Sequence, residues 1–369
     1  MKSKYLTIDT PALLIDQTLM LHNIDMAIAK TSAANIKLRP HTKTHRMPEL
    51  AKLCLAKGAT GITVAKIGEA EVMAENGLDD IFIANELIGL SKYQRLKQLH
   101  EKITISLGVD SIEQIQQIEQ LFKDATKPLP LLMEIEVGEN RSGVITNEQI
   151  IALGNYLLNK PYCKLIGVFS HEGHCYKAAS AADCITKAQI AHLRTIEAAN
   201  ILKNIGHAIT TISVGSTPSL MHAPFTDGIT EVRPGTFILM DVGQGSAINN
   251  FDYCAATVLA SIISKPTDER VVLDAGAKCL TSQNRAEGIC TTNGYGLIKN
   301  SPDIRIAGVF DEHAVIYDKN FHKAVKIGDK IEIIPNHICP TCNLYDTAYL
   351  VDNGKIIKEI PILCRGKSQ

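Results

Sequence analysis

Short apolar runs and amphipathic stretches alternate through the first two thirds of the chain. After an apolar run at 12–16 and a helical stretch at 17–34, strand-like segments fall at 36–40, 61–65, 80–84, 103–108, 131–137, 165–170, 210–214 and 231–235. Most are short and rich in Ile, Val and Leu, the pattern of strands buried on both faces. Between them, a helical period predicts helices at 47–57, 68–76, 91–101, 111–123, 147–159 and 183–205. Ser111 with Gln114 reads as a capping box, and Gly58 and Gly77 fall just past helix ends. About eight β-α units over roughly 230 residues predict an α/β fold, a parallel (β/α)8 TIM-type barrel. An open doubly wound sheet is the rival. It calls for a Gly-rich phosphate turn early in the chain, and no G-x-G-x-x-G follows the first strand.

Past residue 245 the texture changes. Strand-like runs at 255–264, 270–275, 304–310, 313–317, 330–335, 347–351 and 355–362 are separated by turn residues, among them Asp352-Asn353-Gly354. No long helical period appears, so this part reads as a mostly antiparallel β domain. The expected organisation is a barrel domain at 17–245 and a β domain at 246–369, which residues 1–16 join.

A barrel places its functional residues just past the C-terminal ends of its strands. Lys43 follows the first strand, within Arg39-Pro40-His41-Thr42-Lys43-Thr44-His45, and Lys66 follows the second. Asn85-Glu86 follows the third, Gly138-Glu139-Asn140-Arg141 the fifth and His171-Glu172-Gly173-His174-Cys175-Tyr176 the sixth. Gly215-Ser216-Thr217-Pro218-Ser219 follows the seventh, and Arg233-Pro234-Gly235-Thr236 closes the eighth. A lysine desolvated at such a rim loses ammonium stability and serves as a nucleophile or Schiff-base amine. In a polar turn it is simply a surface lysine. The small residues at Gly215, Ser216 and Thr217 suit a phosphate held by backbone N–H groups and hydroxyls, although a plain helix-capping turn looks the same. Together the lysine and the phosphate loop point to pyridoxal phosphate. Arg141 is placed to bond its phenolate or a carboxylate, or else to pair with Glu136. His171 and Tyr176 are candidates to stack on or bond its pyridine ring, unless backbone carbonyls satisfy the histidine.

In the β domain, Asn336-His337-Ile338-Cys339-Pro340-Thr341-Cys342 follows a strand. On an extended chain His337 and Cys339 face one side and could share a divalent metal. Imidazole and thiolate suit zinc best, with manganese as the alternative. Competing readings are a Cys339/Cys342 redox pair, a structural zinc, which wants four ligands, and buried inert thiols.

Bulk properties narrow the field. Hydrophobic residues make up 45% of the 369 and charged residues 21%, which allows a sizeable core. The formal net charge of −1 offers no field for nucleic acid or a membrane surface. No apolar run reaches the roughly 18 residues of a spanning helix. Met1-Lys2-Ser3-Lys4-Tyr5 opens without a signal peptide's apolar region, so the ten cysteines are expected as reduced thiols in the cytoplasm.

The stretch Leu38-Arg39-Pro40-His41-Thr42-Lys43-Thr44-His45 resembles the lysine motif of the D-threonine aldolase and D-serine dehydratase family, pyridoxal phosphate enzymes of the alanine racemase fold type. The resemblance continues through Ala65-Lys66-Ile67-Gly68-Glu69-Ala70, Val137-Gly138-Glu139-Asn140-Arg141-Ser142-Gly143-Val144, Val214-Gly215-Ser216-Thr217-Pro218, Arg233-Pro234-Gly235-Thr236 and Pro335-Asn336-His337-Ile338-Cys339-Pro340. It covers nearly the whole chain, in order. It implies a homodimer, Lys43 as the Schiff-base lysine, and a divalent metal on His337 and Cys339. The His-x-Cys string, the Gly-Ser-Thr-Pro string and Cys175 before Tyr176 are more similar to dehydratase than to aldolase members. The expected activity is therefore a lyase on D-β-hydroxy-α-amino acids, leaning to D-serine dehydratase. The alternatives are a D-threonine-type aldolase, a racemase and a non-catalytic pyridoxal phosphate binder.

Overall fold

Eight strands of one sheet run parallel: Lys37–Leu38, Ile62–Val64, Asp80–Ile83, Thr104–Val109, Leu129–Glu134, Cys163–Phe169, Thr211–Val214 and Glu231–Val232. From Ile62–Val64 onward each pairs with the next, and the last pairs with the first. The ring closes where Leu38 O accepts from Thr60 N at 2.7 Å and Pro40 O from Thr63 N at 2.9 Å, with His41 bridging Thr63. In this computed structural model, which describes residues 4–301 and 303–369, the fold is the TIM-type (β/α)8 barrel that the apolar pattern predicts, with a second, mostly antiparallel sheet. The chain divides into two units. One gathers Ala27–Lys43, Leu50–Gly235 and Gly366–Gln369; the other gathers the stretch ending at Met26, Thr44–Glu49 and Thr236–Arg365.

The barrel's rim is pinned by a repeated device. Helix Ile67–Glu75 begins with Glu69 Oε2 accepting from Ala65 N at 2.7 Å and Lys66 N at 3.1 Å. Helix Ile112–Leu121 begins with Gln114 Oε1 accepting from Asp110 N at 2.8 Å and Ser111 N at 3.1 Å. Gln149 Oε1 does the same for Ile145 N and Thr146 N before helix Asn147–Leu158. Each satisfies orphan donors at a helix start and fixes the loop that leaves the strand. Inside the barrel, Phe82 and Phe169 meet edge to face at 5.0 Å and 85°, packed with Leu132. Gly108 makes room for them, since a Cβ there would lie 2.7 Å from the Phe169 ring.

Several predicted barrel strands are shorter than expected, among them the first, the fifth and the eighth, which spans only Glu231–Val232. The first pairs only over Lys37–Leu38, because Pro40 has no N–H to add to a ladder. The fifth stops at Glu134 because the chain folds back, with Val144 N donating to Glu134 O at 2.8 Å and Glu136 N to Val144 O at 3.1 Å.

In the other unit, nine strands pair antiparallel, except that Ala12–Asp16 runs parallel to Thr347–Asp352. Ala256–Ser264 is the longest and takes Ala12–Asp16, Arg270–Leu273 and Lys330–Ile334 as partners. Val258, Ala260, Val271, Leu273, Ile331 and Ile333 form the centre of its buried face. The predicted strand at 304–310 shrinks to Gly308–Val309, and a short strand at Leu297–Ile298 was not foreseen. None of the ten cysteines is in a disulfide. Among the described residues no helix is long and apolar enough to cross a membrane.

Candidate active site and metal pair

Lys43 sits on a single 3-10 turn, Thr42–Thr44, immediately after the bridge that closes the barrel. Thr42 Oγ1 donates to Thr63 O at 3.1 Å, and the Lys43 N–H points at His41 Nδ1 from 3.5 Å. The lysine side chain is half-buried. His41 is buried, and burial pushes its pKa well below the ordinary value. The positive charges of Lys43, Arg233, His171 and Arg141 push the same way. The groups that act on this imidazole come from the ends of the first, fifth, sixth and eighth strands, which face one space.

Glu139 organises that space. Its Oε2 lies 2.7 Å from His171 Nδ1 and its Oε1 lies 3.4 Å from Arg141 Nη1. Burial raises the Glu139 carboxyl, but the His171 bond and the charges of His171, Arg141 and Lys43 outweigh it, so its pKa ends below the usual range. For His171, burial outweighs the carboxylate and lowers its pKa. The pair is therefore a neutral imidazole donating Nδ1–H to a carboxylate. The Tyr176 ring stacks beside His171, with centroids 6.4 Å apart and planes at 25°. A Cβ on Gly173 would fall 2.0 Å from Glu139 Oε1, so any other residue there would displace the Glu139 carboxylate. Arg141 pairs with Glu139 and, at 3.6 Å, with Glu134. It does not pair with Glu136, whose Oε1 instead accepts from Gly138 N and Asn140 N, both at 2.8 Å.

Gly215 takes a φ of +136°, and a Cβ on it would meet Arg233 N at 2.8 Å. Ser216 then caps the short helix Thr217–His222, its Oγ accepting from Ser219 N at 3.3 Å. Ser219 Oγ donates to Glu172, which is wholly buried and lies 3.0 Å from His192 Nε2. The Ser216 and Ser219 hydroxyls and their backbone N–H groups are thus engaged with one another within the loop. Pro234 O accepts from His41 N at 3.0 Å, which ties the loop carrying Gly235 to the strand leading to Lys43.

The other unit carries the second candidate. His337 is the N-cap of a short helix, Ile338–Cys342, so the segment is not extended and the pair is presented by a helix start. His337 Nδ1 lies 2.9 Å from Gln283 Oε1, an orientation that leaves Nε2 as the natural metal donor. Cys339 Sγ lies 3.4 Å from Thr44 Oγ1 and 3.6 Å from Thr236 Oγ1. Cys342 is buried, and burial raises its thiol pKa well above the ordinary value, which suits an inert thiol. Among the described residues no group of three or more His, Cys, Asp or Glu is arranged to hold a metal.

The family model of the alanine racemase N-terminal domain matches residues 15–242, and that of a putative serine dehydratase domain matches residues 255–351. The chain is 31% identical to a D-threonine aldolase of an Arthrobacter species, over 98% of this chain and 94% of that protein. The chain belongs to the D-threonine aldolase and D-serine dehydratase family. A D-serine dehydratase of Dictyostelium discoideum is 27% identical over 95% of each chain. The solved D-threo-3-hydroxyaspartate dehydratase of a Delftia species superposes with a TM-score of 0.89 at 26% identity, covering 98% of this chain and 99% of that one. That enzyme has also been solved with a histidine or a cysteine, two residues apart, replaced by alanine, the cysteine variant in a metal-free form.

With the family in view, rim residues to which the sequence assigned no role stand out. Arg233 is buried over Phe169 at 5.1 Å and Phe82 at 5.6 Å, and donates to Ser213 Oγ at 2.6 Å and Ser170 O at 2.9 Å. His41, Glu139 and Glu172 were likewise placed at the rim by the sequence but given no role of their own. The signal available for them was polarity where a barrel strand ends in an otherwise apolar run, as at Glu231-Val232-Arg233.

Proposed function

We propose that this chain is a pyridoxal phosphate- and divalent metal-dependent lyase on D-β-hydroxy-α-amino acids, acting as a D-serine-type dehydratase that releases an α-keto acid and ammonia. The observation that carries the reading is the placement of Lys43, half-buried at the barrel rim and within the field of His41, Glu139 and His171. The residues fit the cofactor. Gly215 opens a cradle that a Cβ would fill, at the start of a capped helix, and a cation, an imidazole and a phenol stand on the neighbouring rim loops. Lys43 would hold the aldehyde covalently, the Gly215-Ser216-Thr217 backbone and Gly235 the phosphate, and Arg141, His171 and Tyr176 the ring. Bound there, the cofactor supplies an electron sink for a carbanion at the substrate α-carbon.

Each side chain then has a task. The freed Lys43 Nζ takes the α-proton, and the neutral His41 beside it adds no charge that would compete for a substrate carboxylate. Glu139 holds both the His171 ring and the Arg141 guanidinium in place. His337 Nε2 and Cys339 Sγ would hold the metal. Their donor types fit zinc, and their number leaves the remaining positions to water or substrate. The ion supplies the Lewis acidity that helps a β-hydroxyl depart.

The dehydratase reading is supported by the His-x-Cys pair, given the metal-free cysteine variant of the Delftia dehydratase. An aldolase reading, which yields glycine and an aldehyde, is favoured by the 31% identity to the Arthrobacter enzyme. Pure protein incubated with D-serine and with D-threonine separates them. Ammonia with keto acid is the expected result, and glycine without ammonia overturns the dehydratase assignment. A homodimer in the cytoplasm completes the proposal, and its mass in solution tests the first part.

A further inference from the structure

Behind the Gly215–Ser219 turn lies a buried chain of polar groups to which the proposed function gives no task. Glu172, on the loop after strand Cys163–Phe169, is 0% exposed. Its Oε2 accepts from Ser219 Oγ. Its Oε1 lies 3.0 Å from Nε2 of His192, on helix Ala181–Ile205, and that histidine is 2% exposed. The His192 contact is close but poorly aligned, so Oε1 has a neighbour and no hydrogen bond. This leaves the Ser219 hydroxyl as the donor aligned on the carboxyl. His192 Nδ1 in turn meets Thr226 Oγ1 at 3.0 Å. One turn further along the same helix, Thr195 Oγ1 lies 2.8 Å from Ser170 Oγ, which holds helix and loop in register. The space lined by His192, Gly215, Ser216, Ser219 and Phe225 has no room for a water molecule. A carboxyl buried without water depends on the protein groups it touches.

The hydrogens give this chain a direction. A serine hydroxyl has one hydrogen to donate. Ser219 Oγ has three acceptors in reach: Glu172 Oε2, Ser216 Oγ at 3.0 Å and Ser216 O at 3.1 Å. A carboxylate is the strongest of the three and takes the hydrogen. Towards Ser216 the Ser219 oxygen therefore accepts, from Ser216 N at 3.1 Å and from the Ser216 hydroxyl. Ser219 N completes the turn by donating to Ser216 Oγ at 3.3 Å. Two of these three closing contacts end on an oxygen that Glu172 fixes in place. The far end of helix Thr217–His222 is held separately, by Lys30 Nζ donating to Leu220 O at 2.5 Å and to Ala223 O at 3.0 Å.

We propose that Glu172, backed by His192, positions the phosphate turn: the pair fixes Ser219 Oγ and thereby the 215–217 backbone that the cofactor's phosphate meets. Neither side chain touches the cofactor, so both are positioning residues. The link to phosphate rests on the proposed function; the hold on the turn does not.

The test titrates the full chain, freed of cofactor, with pyridoxal phosphate and with pyridoxal, which lacks the phosphate. Glu172→Gln keeps the shape of the side chain and removes its charge. It is expected to raise the dissociation constant of pyridoxal phosphate about tenfold and to leave that of pyridoxal within about twofold. Ser219→Ala should give the same split, and the double variant should lose no more than either single one, since both cut one chain. Unchanged pyridoxal phosphate affinity, equal weakening of both ligands, or losses that multiply in the double variant overturns the proposal. Should Glu172→Gln not fold, Ser219→Ala decides by the same split. Hydrogen exchange at Ser216 N and Ser219 N separates the pair from the function. If Glu172→Gln speeds that exchange by about tenfold or more in a protein that takes up no pyridoxal phosphate, the function fails and the positioning pair stands. If the exchange is unchanged, the positioning pair fails even where pyridoxal phosphate binds.

Discussion

The barrel rim and the His337–Cys339 turn hold the two halves of the proposed chemistry, and they are built to different degrees of completeness. On the rim, Arg141, His171 and Glu139 hold one another, and the Ser216–Ser219 loop is braced through Glu172 and His192. At the turn, the imidazole meets the Gln283 amide, and the thiol has the Thr44 and Thr236 hydroxyls beside it. A site braced on every side binds its ligand without rearranging and keeps it. A site of two donors must borrow the rest of its shell, so its ion exchanges with solution. The cofactor should therefore survive treatments that strip the metal.

The largest expected effect comes from Lys43→Ala. Covalent attachment disappears, the visible band of the lysine-bound cofactor goes with it, and turnover falls by at least about 10³-fold. Borohydride reduction followed by peptide mapping should place the label at Lys43 in the wild type and nowhere in the variant. A label on another lysine would remove the centre of the account.

Next is the metal. Prolonged chelation, or Cys339→Ala, should abolish β-elimination while leaving the cofactor band in place. Zinc or manganese should restore the chelated wild type, not the variant. Activity indifferent to chelation would instead favour a racemase or a protein that only carries the cofactor.

Those two predictions differ in how far the sequence alone could reach them. Lys43, Arg141, His171 and Gly215 were legible because a barrel turns position in sequence into position in space: the residue past each strand end lies on one rim. The network that orients them was not legible. Glu139 and His171 are 32 residues apart, and Glu172 and Ser219 are 47 apart, and no local period links such pairs. The geometry at His337 was misread for a different reason. Asn336-His337-Ile338-Cys339 follows a strand directly and reads as its extended continuation, but Asp241 Oδ2 accepts from Ile338 N at 3.0 Å and Thr341 Oγ1 donates to His337 O at 2.8 Å. Those bonds satisfy the start of a helix, which a strand-like string does not reveal.

A smaller effect tests the bracing itself. Glu139→Gln keeps the shape and one acceptor oxygen but removes the charge that holds Arg141. The kcat/KM is expected to fall by about 10–100-fold, the cost of an ångström-scale displacement at a reacting centre. His171 should also lose its residual tendency to protonate, since the Glu139 charge is what raises its pKa against burial. An unchanged kcat/KM would mean that Arg141 and His171 hold their places without Glu139.

The smallest effect compares the two histidines that flank Lys43. Both are buried and both have depressed pKa values, but only His41 lies among the rim cations. For His45, burial lowers the pKa to about 3, and Met47 N donates to the neutral ring's Nδ1 at 3.1 Å. The folded pKa lies below the unfolded value near 6.5, so the unfolded chain binds the proton first. The stability that His45 contributes is fully present above about pH 6.5 and is lost as pH falls towards 3, at up to about 1.4 kcal/mol per pH unit. Between pH 6.5 and 5 this amounts to about 2 kcal/mol. His45→Asn keeps an acceptor for Met47 N and removes the titration, so its thermal midpoint should fall less steeply over that range than the wild type's. Parallel slopes would assign the acid sensitivity to His41 and the charged rim.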